Sequence, residues 1–310
     1  MLEDYKNQIL VFDVGGSHIA ASLFHPGSMR LGAVHTLPVR ETGSATDFVA
    51  AFQSLAETML PASVPRNGIA VAIPNPFDYD EGISYMRHKY QQLYGKNLRH
   101  CLAEGLGCNA ARVHFLNDAA AFLMGELHQG AATGVNRAIG ITLGTGVGSA
   151  FAVGSKIVVT GPGVPPRGEI WDLSYRDGTV EDFISTRSIQ RTYERLTGVR
   201  AEVRDIAALA VRDLQARETF EFFGKELGAV LRQICLAFAP QRIVLGGGIS
   251  RSAGLFLPAA EKELADPAIQ LRVSDLFDRA PLIGAGVSWK FNFVHGQPPE
   301  PEPSGIAEGS

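Results

Sequence analysis

The chain has 310 residues, 45% of them hydrophobic and 19% charged, which is more than one core usually serves, so two domains are expected. Its net charge is −4 with no run of Lys and Arg, and a nucleic-acid partner gets no electrostatic support. Cys101, Cys108 and Cys235 form no Cys-x-x-Cys pair, the start MLEDYKNQ has no apolar signal core, and no apolar run nears the ~20 residues of a membrane span; a disulfide framework, a zinc site and a membrane are excluded, and a cytoplasmic protein is expected.

In chain order, Lys6–Phe24 reads as a strand hairpin and Gly32–Pro38 as a further strand. Ala45–Met59 has helical spacing, with Phe48, Ala51, Phe52 and Leu55 on one face. Asn67–Ile73 is a strand closed by Pro74 and Pro76. Tyr79–Gly107 mixes helical stretches with a Tyr-rich patch of Tyr85, Tyr90 and Tyr94. Arg112–Leu116 is a short strand that runs into Asn117-Asp118 and a helix over Ala119–His128. A second hairpin covers Arg137–Val153, and GPGVPPR makes a rigid loop over Gly161–Arg167. Thr179–Phe238 is mostly helical, with Phe220, Phe222 and Phe223 expected in the core. Arg242–Gly248 is a strand ending in three glycines, and Ala285–Phe293 is a final helix. From Gln297 onward the composition is that of a disordered tail. Strands and helices intermix, so the class is α/β.

Ile9–Phe24 and Ala138–Val153 look like copies of one device: a buried strand, a Gly-rich turn, a second strand. Laid over each other, Gly15 meets Gly144 and Asp13 meets Thr142. Such turns let backbone N–H groups approach an anion, because Gly has no Cβ in the way. In the first, Gly15, Gly16 and the Ser17 hydroxyl can bond phosphate oxygens, and Asp13 can hold Mg²⁺ directly or through water. No Lys follows and no helix opens, so this is not a Walker A loop. Alone it reads first as an ordinary hairpin turn, with Asp and Gly there for backbone reasons. The second copy, Gly144, Thr145 and Gly146 followed by Val147-Gly148, tips the reading toward two half-clamps on a phosphate chain. It lacks dinucleotide-binding glycine spacing.

Asn117-Asp118 stands where a strand ends and a helix begins, at the crevice end of a sheet. An Asp there can take a proton from a hydroxyl attacking phosphorus. Helix capping explains the same residue types, and the two roles can coexist at neighbours. In Ile243–Ser250 a buried strand runs into Gly246, Gly247 and Gly248, where a flat ring or ribose can lie against backbone; a strand-to-helix connection is the plain alternative. The eight His show no metal-ligand spacing. His18 is expected to face outward or to cap its turn; Arg87 and Lys89 are within reach of the site in principle, with a solvated face as the default reading.

Taken together and in this order, the four motifs resemble the actin-like ATPase superfamily, and within it the ROK family of bacterial glucokinases, related hexose kinases and sugar-responsive repressors. The resemblance runs from Ile9 to about Phe293. It implies a two-domain fold of duplicated, ribonuclease H-like mixed sheets flanked by helices. Residues 1–120 would form the smaller domain, rejoined by a C-terminal helix at 285–295. Residues 121–284 would form the larger, nucleotide-binding and dimerising one. It also implies ATP and Mg²⁺, a sugar partner, and a homodimer. The family's phosphate loop matches Asp13–Ser17, its Asn-Asp pair matches Asn117-Asp118, its glycine signature matches Leu143–Gly168, and its nucleoside loop matches Gly246–Gly248.

The sugar block departs from the family. Gly168-Glu169 stands as in Gly-Glu-x-Gly-His, but Ile170, Trp171 and Asp172 follow, with Asp172 at the family's His. The zinc-binding cysteine cluster is missing, so no zinc is expected. Glu181 matches the second sugar-binding Glu. Asp172 is either a sugar acceptor in place of His or a surface loop Asp. Pro74-Asn75-Pro76 replaces the frequent Pro-Gly-Pro. The resemblance implies that Asp118 deprotonates a hexose hydroxyl, the 6-OH of glucose first among candidates, which attacks the γ-phosphorus of ATP. Asn117, Glu169 and Glu181 would orient the sugar. An N-acetylhexosamine kinase, a polyphosphate-using kinase and a non-catalytic sugar-binding protein are the alternatives. A repressor is discounted, since only about eight residues precede the first hairpin.

Overall fold

The computed structural model describes residues 7–39, 42–61, 64, 66–87 and 89–294; the tail expected from Gln297 lies outside them. The first sheet is built from β1 (Ile9–Val14), β2 (His18–His25), β3 (Arg30–Leu31), β4 (His35–Pro38) and β5 (Ile69–Ile73), with α1 (Ala45–Met59) between the last two. A small ribbon, β6 (Phe77–Asp78) with β7 (Ile83–Ser84), then leads into α2 (Leu98–Leu106), and β8 (Val113–Asn117) closes the sheet at its far edge. The second sheet follows α3 (Asp118–Gln129). It contains β9 (Arg137–Leu143), β10 (Val147–Val153) and β11 (Lys156–Val158). A ribbon of β12 (Ser174–Tyr175) and β13 (Gly178–Thr179) precedes the helices α4 (Val180–Phe183), α5 (Thr186–Thr197), α6 (Val203–Leu209) and α7 (Leu214–Phe238). Then come β14 (Arg242–Gly246), α8 (Leu257–Leu264), β15 (Gln270–Val273) and α9 (Arg279–Phe293).

The two sheets repeat one topology. The first runs β3-β2-β1-β5-β8 and the second β11-β10-β9-β14-β15. In each, an antiparallel hairpin supplies the first strands and two further strands add in parallel to the hairpin's inner strand. This is the mixed α/β architecture of the actin-like ATPase fold.

Alternation along the strands decides what covers each face. Leu10, Phe12 and Val14 of β1 join the core under α1 and α2, while Ile9 and Val11 join the core under α9. In β9, Ile139, Ile141 and Leu143 face the cluster that holds Phe220 and Phe238 of α7; Ala138 faces α3. Helices therefore cover both faces of both sheets, which explains the nearly unbroken apolar runs of β1, β5 and β14. The facing helices α3 and α9 pack on each other between the sheets. Their approach is close because small residues meet there: a Cβ added to Gly284 would lie 1.8 Å from the Ala121 carbonyl oxygen, and one added to Gly125 would lie 2.1 Å from that of Ala280.

Local signals match these elements. A capping box between Ser44 and Asp47 starts α1, whose buried face carries Phe48, Ala51, Phe52, Leu55 and Ala56. The Asp213 carboxylate accepts the amides of Gln215 and Ala216 to start α7. Three details differ from expectation. The strand expected at Gly32–Pro38 is shorter, β4 at His35–Pro38, and a separate two-residue strand, β3 at Arg30–Leu31, precedes it; both pair with β2, whose long edge they share in two pieces. The last helix begins six residues early, at Arg279, since Pro281 sits in its first turn, where its missing N–H costs nothing. Phe222 is exposed, unlike Phe220 and Phe223, because the three neighbours cannot share one helical face; Arg195 and Lys225 lie over its ring instead. Among the described residues no helix is long and apolar enough to cross a membrane.

Candidate active site

The two Gly-rich hairpins close in the same way. The Gly15 amide donates to the His18 carbonyl at 2.9 Å, and the Gly144 amide donates to that of Gly146 at 3.0 Å. The first glycine of each turn thus spends its N–H on closing the turn. Each turn is braced from outside. The Tyr90 hydroxyl donates to the Gly15 carbonyl at 2.6 Å. The Thr186 amide donates to the Gly144 carbonyl at 2.9 Å.

Space beside the turns separates the glycines that shape a surface from those that pack. A Cβ on Gly144 would meet only the Gly146 carbonyl, at 4.0 Å, and one on Gly248 would meet nothing within that range. Both have open faces. Gly246 is buried, and a Cβ there would lie 2.4 Å from Phe122, so its lack of a side chain serves packing against α3. Gly247 has φ +81, and a Cβ added there would lie 2.4 Å from the Leu143 carbonyl oxygen, so only glycine fits. His18 is exposed, as expected.

Asn117 ends β8 and caps α3: its Oδ1 accepts the Ala120 amide at 3.0 Å. Its Nδ2 is thereby turned to the Tyr79 hydroxyl at 3.4 Å. One side chain thus caps α3 and turns its amide nitrogen to Tyr79. Asp118 is the first residue of α3, and its Oδ1 accepts the Ala119 amide at 2.8 Å. Burial pushes its carboxyl above the usual range, opposed by the Ala119 amide and then the Lys89 ammonium. Lys89 is therefore not simply part of a solvated face: it is half-buried and its charge reaches Asp118. Arg87 is exposed and lies over the Tyr94 ring.

Asp13, near the end of β1, is pushed up to about 8 by burial, then by the charges of Asp118 and Asp278. Asp278 precedes α9 and pairs with Arg251 at 2.7 Å; nothing local in the sequence marked it. A Mg²⁺ ion is typically held by one or two carboxylates plus phosphate oxygens. Crowded carboxylates whose repulsion a cation would relieve fit that donor set. Among the described residues, no three or more His, Cys, Asp and Glu side chains group as a metal cage.

Glu169 is held on every side. Its Oε1 accepts Asn75 Nδ2 at 2.5 Å; its Oε2 accepts Arg167 Nη2 at 2.9 Å and Trp171 Nε1 at 3.1 Å. Asp172 is 44% exposed and reaches Arg167 at 4.0 Å. Glu181 lies on the other side of this loop, with Oε2 on the Val147 amide at 3.0 Å and Oε1 on Arg187 at 2.9 Å. Asn75, Tyr79, Arg167 and Trp171 were not singled out as site residues. Only Asn75 left a sequence signal, as the break in Pro-Gly-Pro.

The family model described as "ROK family" matches residues 9–290. The chain belongs to the ROK family. Among curated relatives of this ROK protein, an N-acetylgalactosamine kinase of Shewanella sp. (strain ANA-3) is 25% identical over 272 residues, covering 81% of this chain and 85% of the relative. An N-acetyl-D-glucosamine kinase of Salmonella paratyphi B is 25% identical over 270 residues, covering 81% and 87%. Among solved structures, a ROK family glucokinase from Streptomyces griseus in complex with glucose and AMPPNP superposes with a TM-score of 0.74 at 22% identity, covering 90% of this chain and 98% of that one. A ROK hexokinase from Thermus thermophilus gives 0.73 at 24% identity, covering 91% and 97%.

Proposed function

We propose that this ROK protein is an ATP-dependent sugar kinase that phosphorylates a hexose hydroxyl, with glucose O6 as the first candidate. The observation that carries the reading is the junction of β8 and α3. There a partly buried Asp118, with its carboxyl shifted toward holding a proton, stands within electrostatic reach of Asp13, in β1 just before the first glycine turn. Chain units at about 1–120, rejoined near 285–295, and 121–284 would supply one turn each. Their cleft would take sugar and nucleotide.

The roles follow from the chemistry of the side chains. Asp118 would accept the proton of the attacking hydroxyl; a raised pKa suits a base that must hold the proton once it has it. Asn117 would steer a neighbouring hydroxyl. Glu169 through Oε1, which accepts only Asn75, and Glu181 through either oxygen, each with one protein donor, would accept sugar hydroxyls. Asp172, exposed near Arg167, would do so at the rim. Tip amides at Gly16, Ser17, Thr145 and Gly146 would take phosphate oxygens, with Gly15 and Gly144 shaping the turns. Gly246, Gly247 and Gly248 would form the nucleoside shelf. Asp13 would hold Mg²⁺, which when bound neutralises charge on the phosphates.

A second reading, an N-acetylhexosamine kinase, is favoured by the two relatives that match over four-fifths of the chain. A coupled ADP-release assay with Mg·ATP across glucose, mannose, fructose, allose, N-acetylglucosamine and N-acetylgalactosamine tests both. Sugar-dependent ADP release with one preferred hexose supports the kinase, and the preferred sugar chooses between the readings. No release with any of them sinks both.

A further inference from the structure

The loop after β5 and the loop before β12 belong to different sheets, yet a single polar chain joins them. Asn117 Nδ2 points at the Tyr79 hydroxyl oxygen at 3.4 Å. That hydroxyl lies 2.8 Å from Asn75 Oδ1 and 3.1 Å from the Ile73 carbonyl. Asn75 Nδ2 donates to Glu169 Oε1 at 2.5 Å. The directions are not free. Ala120 N–H occupies Asn117 Oδ1 and so turns the amide nitrogen toward Tyr79. An ionised Glu169 carboxylate can accept but not donate, so Asn75 offers it the NH₂ group, which leaves Asn75 Oδ1 for the Tyr79 proton. The far oxygen of Glu169 is fixed by Arg167 and Trp171. Glu169 is mostly buried, its side chain 12% exposed. Removing one donor would leave a buried charge short of a partner, which costs more than the bond itself returns.

We propose that Asn75 and Tyr79 are positioning residues that set Glu169 in register with the Asn117-Asp118 pair. This rests on the sugar-kinase reading and deepens it. Sugar hydroxyls bound at Glu169 and the hydroxyl deprotonated at Asp118 belong to one rigid ring, so the spacing of the two carboxylates decides whether both can be met at once. The chain fixes that spacing through Asn75, which a glycine in its place could not do. Glycine carries no side chain to reach across from the first sheet's loop to the second's.

Two variants test the chain without emptying a core, with Asn75→Ala as a control. Tyr79→Phe keeps the ring against Phe77, 5.3 Å away between centroids, and removes only the hydroxyl. Asn75→Asp keeps the shape and sets a second carboxylate against Glu169. The readouts are sugar and ATP KM in the ADP-release assay, and sugar Kd by quenching of the fluorescence of Trp171, whose indole N–H sits on Glu169. Tyr79→Phe should raise sugar KM and Kd about tenfold while ATP KM stays within about twofold. Asn75→Asp should make sugar KM pH-dependent: weak near pH 8, and recovering below about pH 6 as the two carboxylates come to share a proton. Asn75→Ala should be weak at every pH. Wild-type sugar affinity in both variants across that range overturns the proposal, as does an equal rise in sugar and ATP KM with a lower melting temperature. If the wild-type protein binds none of the sugars, the sugar-kinase reading itself fails, and the positioning proposal fails with it.

Discussion

Glu181 Oε2 accepts the Val147 amide hydrogen at 3.0 Å, so a carboxylate expected on the sugar also braces the turn expected on the phosphate. The same oxygen lies where a side chain on Gly146 would stand, 2.7 Å from its Cβ position. Glu181→Ala should therefore raise the KM for both substrates, each by about tenfold. Glu181→Gln retains an oxygen for Val147 and loses only the ion pair to the exposed Arg187, a small contribution. Its ATP KM should stay within about twofold of wild type. Initial rates with each substrate varied in turn distinguish the two variants.

Asp118→Asn keeps an oxygen for the Ala119 amide and preserves the start of α3. Turnover should fall by at least ~10²-fold, the low end for losing a general base. Sugar Kd should change little. Near-normal turnover in this variant removes Asp118 from the mechanism.

Open space at Gly144 separates nucleotide binding from folding. Gly144→Ala adds a methyl that touches nothing closer than 4.0 Å, so stability should stay within about 0.5 kcal/mol. The ATP KM should rise about tenfold or more if phosphate lies against that face. Gly247→Ala instead meets the Leu143 backbone and a φ of +81, and should lose stability as well. Urea unfolding alongside ATP titration reads both effects.

His114 gives the protein an acid limb. Its imidazole bonds Ser288 Oγ at 2.8 Å, and burial, then the Arg99 charge, pushes it down to about 4 from 6.5. Between those values the unfolded chain binds the proton and the folded one does not, so stability falls as pH drops from about 6.5 toward 4. This one group should contribute on the order of 3 kcal/mol to that loss. His114→Gln should flatten the slope of melting temperature against pH in that window and leave it unchanged above pH 7. An unaltered slope would assign the acid limb elsewhere.

Gly284→Ala should be among the most damaging single changes. Its Cβ would stand 1.8 Å from the Ala121 carbonyl oxygen, against backbone that cannot step aside. A loss of about 3 kcal/mol or more is expected from forcing α3 and α9 apart. Denaturant unfolding measures it. A neutral result would mean the two helices are free to separate.

The sequence by itself carried the repeated strand–turn–strand device, the Asn-Asp junction, and the helical face of Phe48, Phe52 and Leu55, because these rest on spacing within one element. It also carried the missing cysteines and the Asp in place of the family's His at 172. It did not separate Phe222 from its neighbours, because helical angle and burial partner are properties of the packed pair. Nor did it show that Gly246 packs on Phe122 while Gly248 faces open space, since both read alike in a run of three. Only the tertiary structure brought Asp278 to Asp13 and Lys89 to Asp118, and only it joined Asn75 to Glu169. Those relationships join segments far apart in sequence, and their energies come from burial and charge that arise only once the chain is packed.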